Sequence, residues 1–230
     1  MIDSASLMAV LPELVLTAGG LVLLLTAAFG GDGTARVVNW LSVLTLVVAG
    51  LTLPVSMEHG PLAFDGLVRA DAFSIFAKAL IYASAGAAIL LAPRYFIADG
   101  ALRPEYPVLI LFSSVGMGMM VSAGDLLTLY VGLEMQSLAA YVLASFMQQD
   151  ERSSEAGLKY FVLGSLASGI LLYGTALLYG FTGSTSFDGI AVALGDGVGK
   201  GELFGMVFLL AGLAFKMSAV PFHMWTPDVY

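Results

Sequence analysis

There is no cysteine among the 230 residues of this chain. That excludes a disulfide framework, and it removes the thiolate ligands that iron–sulfur clusters and structural zinc require. Only two histidines occur, His59 and His223, and they fall in different segments, so a bis-histidine haem within the chain is not expected. No G-x-G-x-x-G or Walker-type glycine loop stands between a strand and a helix, so no nucleotide site is expected either. Charge is scarce: 11% of residues are Asp, Glu, Lys or Arg, against about a quarter in soluble domains. The 9 basic residues stand against 17 acidic ones, a net charge of −8. Such a balance argues against nucleic acid as a partner.

What is present in their place is apolar. Hydrophobic residues make up 59% of the chain, and the mean hydropathy is +0.92. They come in blocks of about 20 residues, the length that spans a hydrocarbon core roughly 30 Å thick. An all-α, polytopic membrane helix bundle follows, with the lipid bilayer as its surroundings. Seven spans are expected: Leu7–Phe29, Val37–Val55, Ala72–Phe96, Tyr106–Ala123, Leu126–Phe146, Glu155–Phe181 and Leu203–Met224. The first has Asp3 and no basic residue in its short leader and lacks a clear small-residue cleavage site, so it is expected to be a retained helix.

The connections are short and rich in turn residues. "QQDERSSE" (Gln148–Glu155) places Ser153 or Ser154 to cap the sixth helix. The longest connection, Thr182–Gly201, is glycine-rich and has room for a short surface helix. Loop cations set orientation. With the N-terminus outside, the inner side collects Arg36, Arg94, Arg103 and Arg152, and the outer side Arg69 and Lys200. Four against two favours that arrangement.

Ionisable residues inside spans are functional candidates, because a charge at a helix centre costs about 2.5–3.5 kcal/mol on insertion scales. Glu134 lies nine residues beyond Asp125, about 13 Å of helical rise. That is too deep for a short carboxylate to reach water. Tyr130, Ser137 and Tyr141 share its face at i−4, i+3 and i+7. Lys216, in "GLAFKMSAVPFHMW", lies 13 residues beyond Leu203 and so well inside its span. A nearby carboxylate favours its ammonium and desolvation opposes it, so a moving counter-charge would switch it. Each of these two has a static alternative: a hydrogen-bonded acid, or a permanent Glu–Lys bridge, that only holds helices together.

Pro221 removes the partner of the Met217 carbonyl and is expected to bend or break the seventh helix there. His223 fits two readings, a relay member with a near-neutral titration range or an interfacial histidine without a duty. Lys159 also fits two, since a lysine one turn into its span can snorkel to the interface. Gly164 with Ser168 and Ser165 with Gly169 form small-xxx-small pairs suited to close helix packing. Lys78, Glu13, Asp71 and Asp125 lie within about two turns of span ends, where interfacial anchoring accounts for them. The "GMGMM" stretch at Gly116–Met120 is expected to face lipid or packing partners.

Three stretches carry a family resemblance: "GLEMQSLAAYVL" (Gly132–Leu143), "EAGLKYFVLGSLASGILLYG" (Glu155–Gly174) and "GLAFKMSAVPFHMWTPDVY" (Gly212–Tyr230). Together they resemble the antiporter-like subunits of proton-pumping NADH:quinone oxidoreductase, respiratory complex I. The likeness covers most of the chain from Tyr106 onward; the first three spans match by pattern. It implies three initial helices over residues 1–105 and a first antiporter-like repeat over 106–230, incomplete, with four helices including the broken one. It also implies that Glu134 pairs with Lys216 beside the broken helix, and that Lys159 lies between this channel and a neighbouring subunit. Glu134, Lys216, Lys159 and His223 then form a proton relay. The chain itself would hold no cofactor; FMN, iron–sulfur clusters and quinone would sit in partner subunits of the complex. The setting would be a bacterial plasma membrane. Family members are about twice as long, so the chain is expected to be part of a longer protein. The alternatives are a stand-alone cation/proton antiporter subunit and a structural scaffold with a static Glu–Lys pair.

Overall fold

The computed structural model describes residues 4–58, 63–98, 103–195 and 197–229; His59 lies outside them. The described residues form α-helices and short 3-10 turns, with isolated bridges but no strand. The helices are α1 Ser4–Ala9, α2 Leu11–Gly30, α3 Ala35–Leu51, α4 Leu53–Glu58, α5 Ala72–Ala98 and α6 Glu105–Val121, followed by α7 Leu126–Ala144, α8 Glu151–Thr182, α9 Phe187–Leu194, α10 Lys200–Lys216 and α11 Thr226–Val229. Five stretches are long and apolar enough to cross a membrane, at residues 11–30, 32–58, 72–94, 126–144 and 151–182; α6 is a shorter apolar helix. Six of the seven expected spans coincide with a helix, the first two of them subdivided, whereas the seventh, Leu203–Met224, is helical only as far as Lys216 and is not among the stretches long and apolar enough to cross.

Proline and cap chemistry place those subdivisions. Pro12 occupies the first turn of α2, where its missing N–H costs nothing, so the helix restarts there after a turn at Val10. Thr52 ends α3, and Pro54 stands in the first turn of α4. The cap expected at Ser153 or Ser154 is instead Asp150, whose carboxylate accepts from the Arg152 N–H at 2.9 Å. Aspartate caps as well as serine and comes first in the chain, so α8 starts four residues before the expected Glu155. Ser153 and Ser154 turn their hydroxyls to the Ala144 and Gln148 carbonyls. Gly183, at φ +71°, closes α8 with its N–H on the Tyr179 carbonyl. The short helix expected in the Thr182–Gly201 connection is α9, capped by Ser186, whose hydroxyl accepts from Gly189.

The chain divides into two compact units: residues 1–123 with 131–140, and residues 124–130 with 141–230. Large apolar side chains point outward all along the helices of the first unit, among them Leu21, Val22, Leu25, Trp40, Leu44, Phe73, Phe76 and Leu91. In lipid such a surface is satisfied, and helix association rests on close van der Waals fit. Small residues supply it. A Cβ on Gly116 of α6 would lie 2.6 Å from the Gly132 carbonyl oxygen of α7, and one on Gly132 would lie 2.8 Å from the Gly116 carbonyl oxygen. The "GMGMM" stretch is thus packing surface.

In the second unit α8 and α10 run against each other through glycines. A Cβ on Gly205 would meet Leu178 at 3.0 Å, and one on Gly212 would meet the Ala167 carbonyl at 3.1 Å. Of the small-residue pairs in α8, Gly164 and Ser168 are buried, whereas Ser165 and Gly169 face outward.

Candidate functional site

The seventh apolar segment is broken, but not where its proline stands. α10 ends at Lys216, five residues before Pro221. Ser218 adopts φ +57°, its N–H bonds the Phe215 carbonyl at 3.0 Å, and the Ala219 N–H reaches back to the Ala214 carbonyl at 2.8 Å. This pair of bonds is a Schellman closure, with a serine in the left-handed position usually given to glycine. The Met217 carbonyl is therefore beyond the helix, and its expected loss of a partner does not set the break. Residues 217–225 run as turns, and α11 follows.

Termination at this point puts Lys216 in the last turn of α10, where the carbonyl end of the helix favours a cation. It is partly buried, not set within a continuous helix as its spacing from Leu203 suggested. Its Nζ donates to the Tyr141 hydroxyl at 3.0 Å and lies 5.5 Å from the centre of that ring. Tyr141 is 5% exposed and is held edge-on by Tyr160 and Phe161, at 4.7 and 5.7 Å between ring centres. Gly164 makes room for its hydroxyl: a Cβ there would collide with it. Trp225 stacks on Tyr160 at 4.4 Å, and its indole N–H donates to the Phe215 carbonyl at 3.2 Å. The segment after the break is therefore fastened back onto α8 and α10 by aromatic contacts.

Lys159 sits between two carboxylates. Its Nζ is 2.8 Å from Glu155, one turn earlier on α8, and 3.0 Å from Asp228 of α11. With 42% of its side chain exposed, it has the reach of a snorkelling lysine, but it is also bridged to the "TPD" ending. His223 is exposed, and because the helix stops it does not continue the Lys216 face. Glu134 lies near the middle of α7 and is partly buried. Ser137, on its face, is 1% exposed and donates to the Leu133 carbonyl at 2.7 Å. In the second unit the structure thus joins Lys216 to Tyr141 and Lys159 to Glu155 and Asp228.

Three residues assigned to interfacial anchoring, Lys78, Glu13 and Asp125, are something else. Lys78 of α5 has no exposed surface, and its Nζ lies 2.7 Å from the Glu13 carboxylate of α2, which is 8% exposed. Asp125, also read as an anchor, is 1% exposed and caps α7, accepting from the Thr128 N–H at 2.8 Å. Distance from a span end could not reveal either, because it does not say which face of a helix meets another helix. The only signal available was a lone acid and a lone lysine near span ends in otherwise uncharged helices. No group of three His, Cys, Asp or Glu suited to a metal occurs among the described residues.

Long apolar helices, charged side chains enclosed between them and a helix that stops beside a lysine define the class, a multi-pass membrane protein. Residues 123–230 match the family described as NADH:quinone oxidoreductase/Mrp antiporter, transmembrane. Over 99% of its length the chain is 64% identical to NADH-quinone oxidoreductase subunit N of Rhizorhabdus wittichii, and it covers 47% of that protein. Against subunit N of Erythrobacter litoralis the identity is 56%, with 48% of that protein covered. A chain of respiratory complex I from Thermus thermophilus, solved with bound aureothin, superposes over 95% of this chain with TM-score 0.78 and 34% identity, 47% of that chain being covered. The chain thus spans about half the length of the relatives it matches. The likeness first seen in three motifs extends over nearly all of it, and within the antiporter-like group it is to subunit N.

Proposed function

We propose that the chain is part of a proton-translocating membrane subunit of an NADH:quinone oxidoreductase. Glu134, Lys216, Lys159 and His223 are its proton relay, driven by electron transfer in partner subunits. Those partners, other membrane subunits of the complex and neighbouring antiporter-like subunits above all, would hold FMN, the iron–sulfur clusters and quinone. The complex would lie in a bacterial inner membrane with this chain's N-terminus outside, and residues 106–230 would be the start of the first antiporter-like repeat.

One observation carries the reading: Lys216 stands where α10 stops, hydrogen-bonded to the buried Tyr141. A lysine there exchanges a proton with a neighbour at small cost in geometry, because it stands at a helix end beside the turns of 217–225, and non-helical backbone at membrane depth is tolerated where it is buried in protein or lines a water-filled cavity. Tyr141 both accepts from the ammonium and donates onward, so it extends the path by one hydroxyl. Lys159, between Glu155 and Asp228, has acceptors on two elements for a proton leaving it. A stand-alone cation/proton antiporter subunit is the second reading, since the matching family includes the Mrp antiporters.

The test is proton translocation by membrane vesicles from cells that carry Glu134→Ala or Lys216→Ala in the full-length protein. Each is expected to lower NADH-driven pumping at least about tenfold, a floor below the roughly hundredfold or more that one proton-transfer group contributes, with assembled complex still present. Wild-type pumping in both variants would refute the relay. Failure of the protein to co-purify with flavin and iron–sulfur subunits would favour the antiporter reading.

A further inference from the structure

We propose that Glu13 and Lys78 form a second proton-exchange site, within the first unit and separate from the residues above. It rests on the reading that the full-length protein conducts protons. The contact between Lys78 Nζ and Glu13 Oε1 is 2.7 Å, and the side chains are 0% and 10% exposed. A buried ion pair of this kind is poor evidence for stability. Desolvation of the two ions offsets most of their attraction, and apolar residues of the same volume usually hold helices together at least as well. Something besides adhesion is served by keeping both ions here.

The surroundings indicate what. The second carboxylate oxygen, Glu13 Oε2, has no hydrogen-bond partner among the described residues, nor has the hydroxyl of Tyr82, which is 5% exposed and lies one turn beyond Lys78 on α5. Buried polar atoms left without protein partners are met by water. On the facing helix α6 and its C-cap, Ser114, Gly118 and Ser122 follow one another at four-residue spacing, all three buried. Gly118 lets the carboxylate approach: a Cβ there would lie 2.8 Å from Glu13 Oε1. Both serine hydroxyls donate to carbonyls of their own helix, at 2.8 and 2.9 Å, which leaves their oxygens able to accept. A row of oxygens thus runs along α6 on both sides of the pair. α6 from Pro107 to Val121 and α3 from Val37 to Leu51 carry no charged residue, Glu13 is the sole charge of α2, and Lys78 is the sole charge of α5 before Arg94; Arg69, whose backbone N–H bonds the Ser122 carbonyl at 2.7 Å, stands at the loop end of the row.

The exchange balances as follows. A proton arrives on the Glu13 carboxylate and forms an O–H bond, and another leaves the Lys78 ammonium as an N–H bond breaks. Transfer of the first proton from Glu13 to Lys78 across the contact restores the ion pair. One proton has passed and the charge is unchanged.

Lys78→Arg separates this role from a static bridge. Arginine keeps the positive charge and its attraction to Glu13 but does not deprotonate in proteins. Pumping in vesicles is expected to fall about tenfold at wild-type levels of assembled complex. Wild-type pumping in this variant would overturn the proposal. If arginine prevents assembly, Tyr82→Phe decides: it removes one hydroxyl and no charge, and several-fold slower pumping supports the site whereas an unchanged rate overturns it. Glu134→Ala is measured in parallel. Normal pumping there counts against the relay of Glu134, Lys216, Lys159 and His223, whereas normal pumping in Lys78→Arg alone counts only against Glu13–Lys78.

Discussion

At the residue scale the informative contacts are those of Lys216, Lys159 and Lys78, and each answers a question that spacing along the chain had left open. Lys216 meets a phenol on α7, so Tyr141→Phe is a clean probe. It removes the hydrogen-bond acceptor while the ring contacts with Tyr160 and Phe161 remain. A hydrogen bond to a charged group contributes about 1.5–3 kcal/mol. Tyr141→Phe is accordingly expected to slow pumping about tenfold or more, with the amount of assembled complex unchanged. Equal rates in the variant and the wild type would remove Tyr141 from the path. The Tyr130–Glu134–Ser137–Tyr141 stripe was legible from helical periodicity alone, because positions on one helix share a face by geometry. The partner of Tyr141 was not, because it lies 75 residues further on. The Glu13–Lys78 contact was missed for the same reason, and so was Asp228 as a partner of Lys159.

Helix breaks and caps belong to the element scale. The positions of all the long helices were legible in hydrophobic runs, while their ends followed local chemistry that several residues could satisfy. Asp150 took the cap of α8 from Ser153 and Ser154, and the Schellman turn at Ser218 took the break of α10 from Pro221. That turn holds Ser218 at φ +57°, where a non-glycine residue is strained by about 1–2 kcal/mol. The serine hydroxyl offsets part of this by accepting from the Thr226 hydroxyl at 2.7 Å. Ser218→Val, with a branched Cβ and no acceptor, is therefore expected to lower the thermal unfolding temperature of the purified complex and to weaken pumping through Lys216. Ser218→Gly, which relieves the strain and loses the same bond, should lie close to wild type. Equal effects of the two would mean that the backbone conformation here is not what matters. Gly164→Ala belongs with them: it drives a Cβ into the Tyr141 hydroxyl and should reproduce the pumping loss of Tyr141→Phe.

For the whole molecule, composition alone settled the class. A chain with this much apolar residue and so little charge has few ways to fold except as membrane helices, and the outward-facing leucines, valines and phenylalanines fit lipid. Orientation rests on a small excess of loop arginine. None of the 230 residues is a cysteine, so single cysteines introduced among them, with any cysteine elsewhere in the full-length protein replaced, can read it. Gly33→Cys, in the turn between α2 and α3, and Val198→Cys, 52% exposed ahead of α10, lie at sites with open space around them or free surface. With the N-terminus outside, a membrane-impermeant thiol reagent applied to intact cells with opened outer membranes should label Val198→Cys at once. Gly33→Cys should react only after the inner membrane is made permeable. The reverse pattern would invert the topology and with it the side from which Lys216 receives its proton.

The relay and a static bridge make opposite forecasts for one variant of the full-length protein, the double replacement Glu134→Gln with Lys216→Met. It removes both charges together, so neither is left uncompensated in the membrane. If the two residues serve only to hold helices, vesicles containing this variant should pump at the wild-type rate. If they carry protons, NADH-driven pumping should fall about tenfold or more while the complex remains assembled and its NADH-oxidising flavin site stays active. Loss under those conditions is the predicted result, and full pumping would contradict the account.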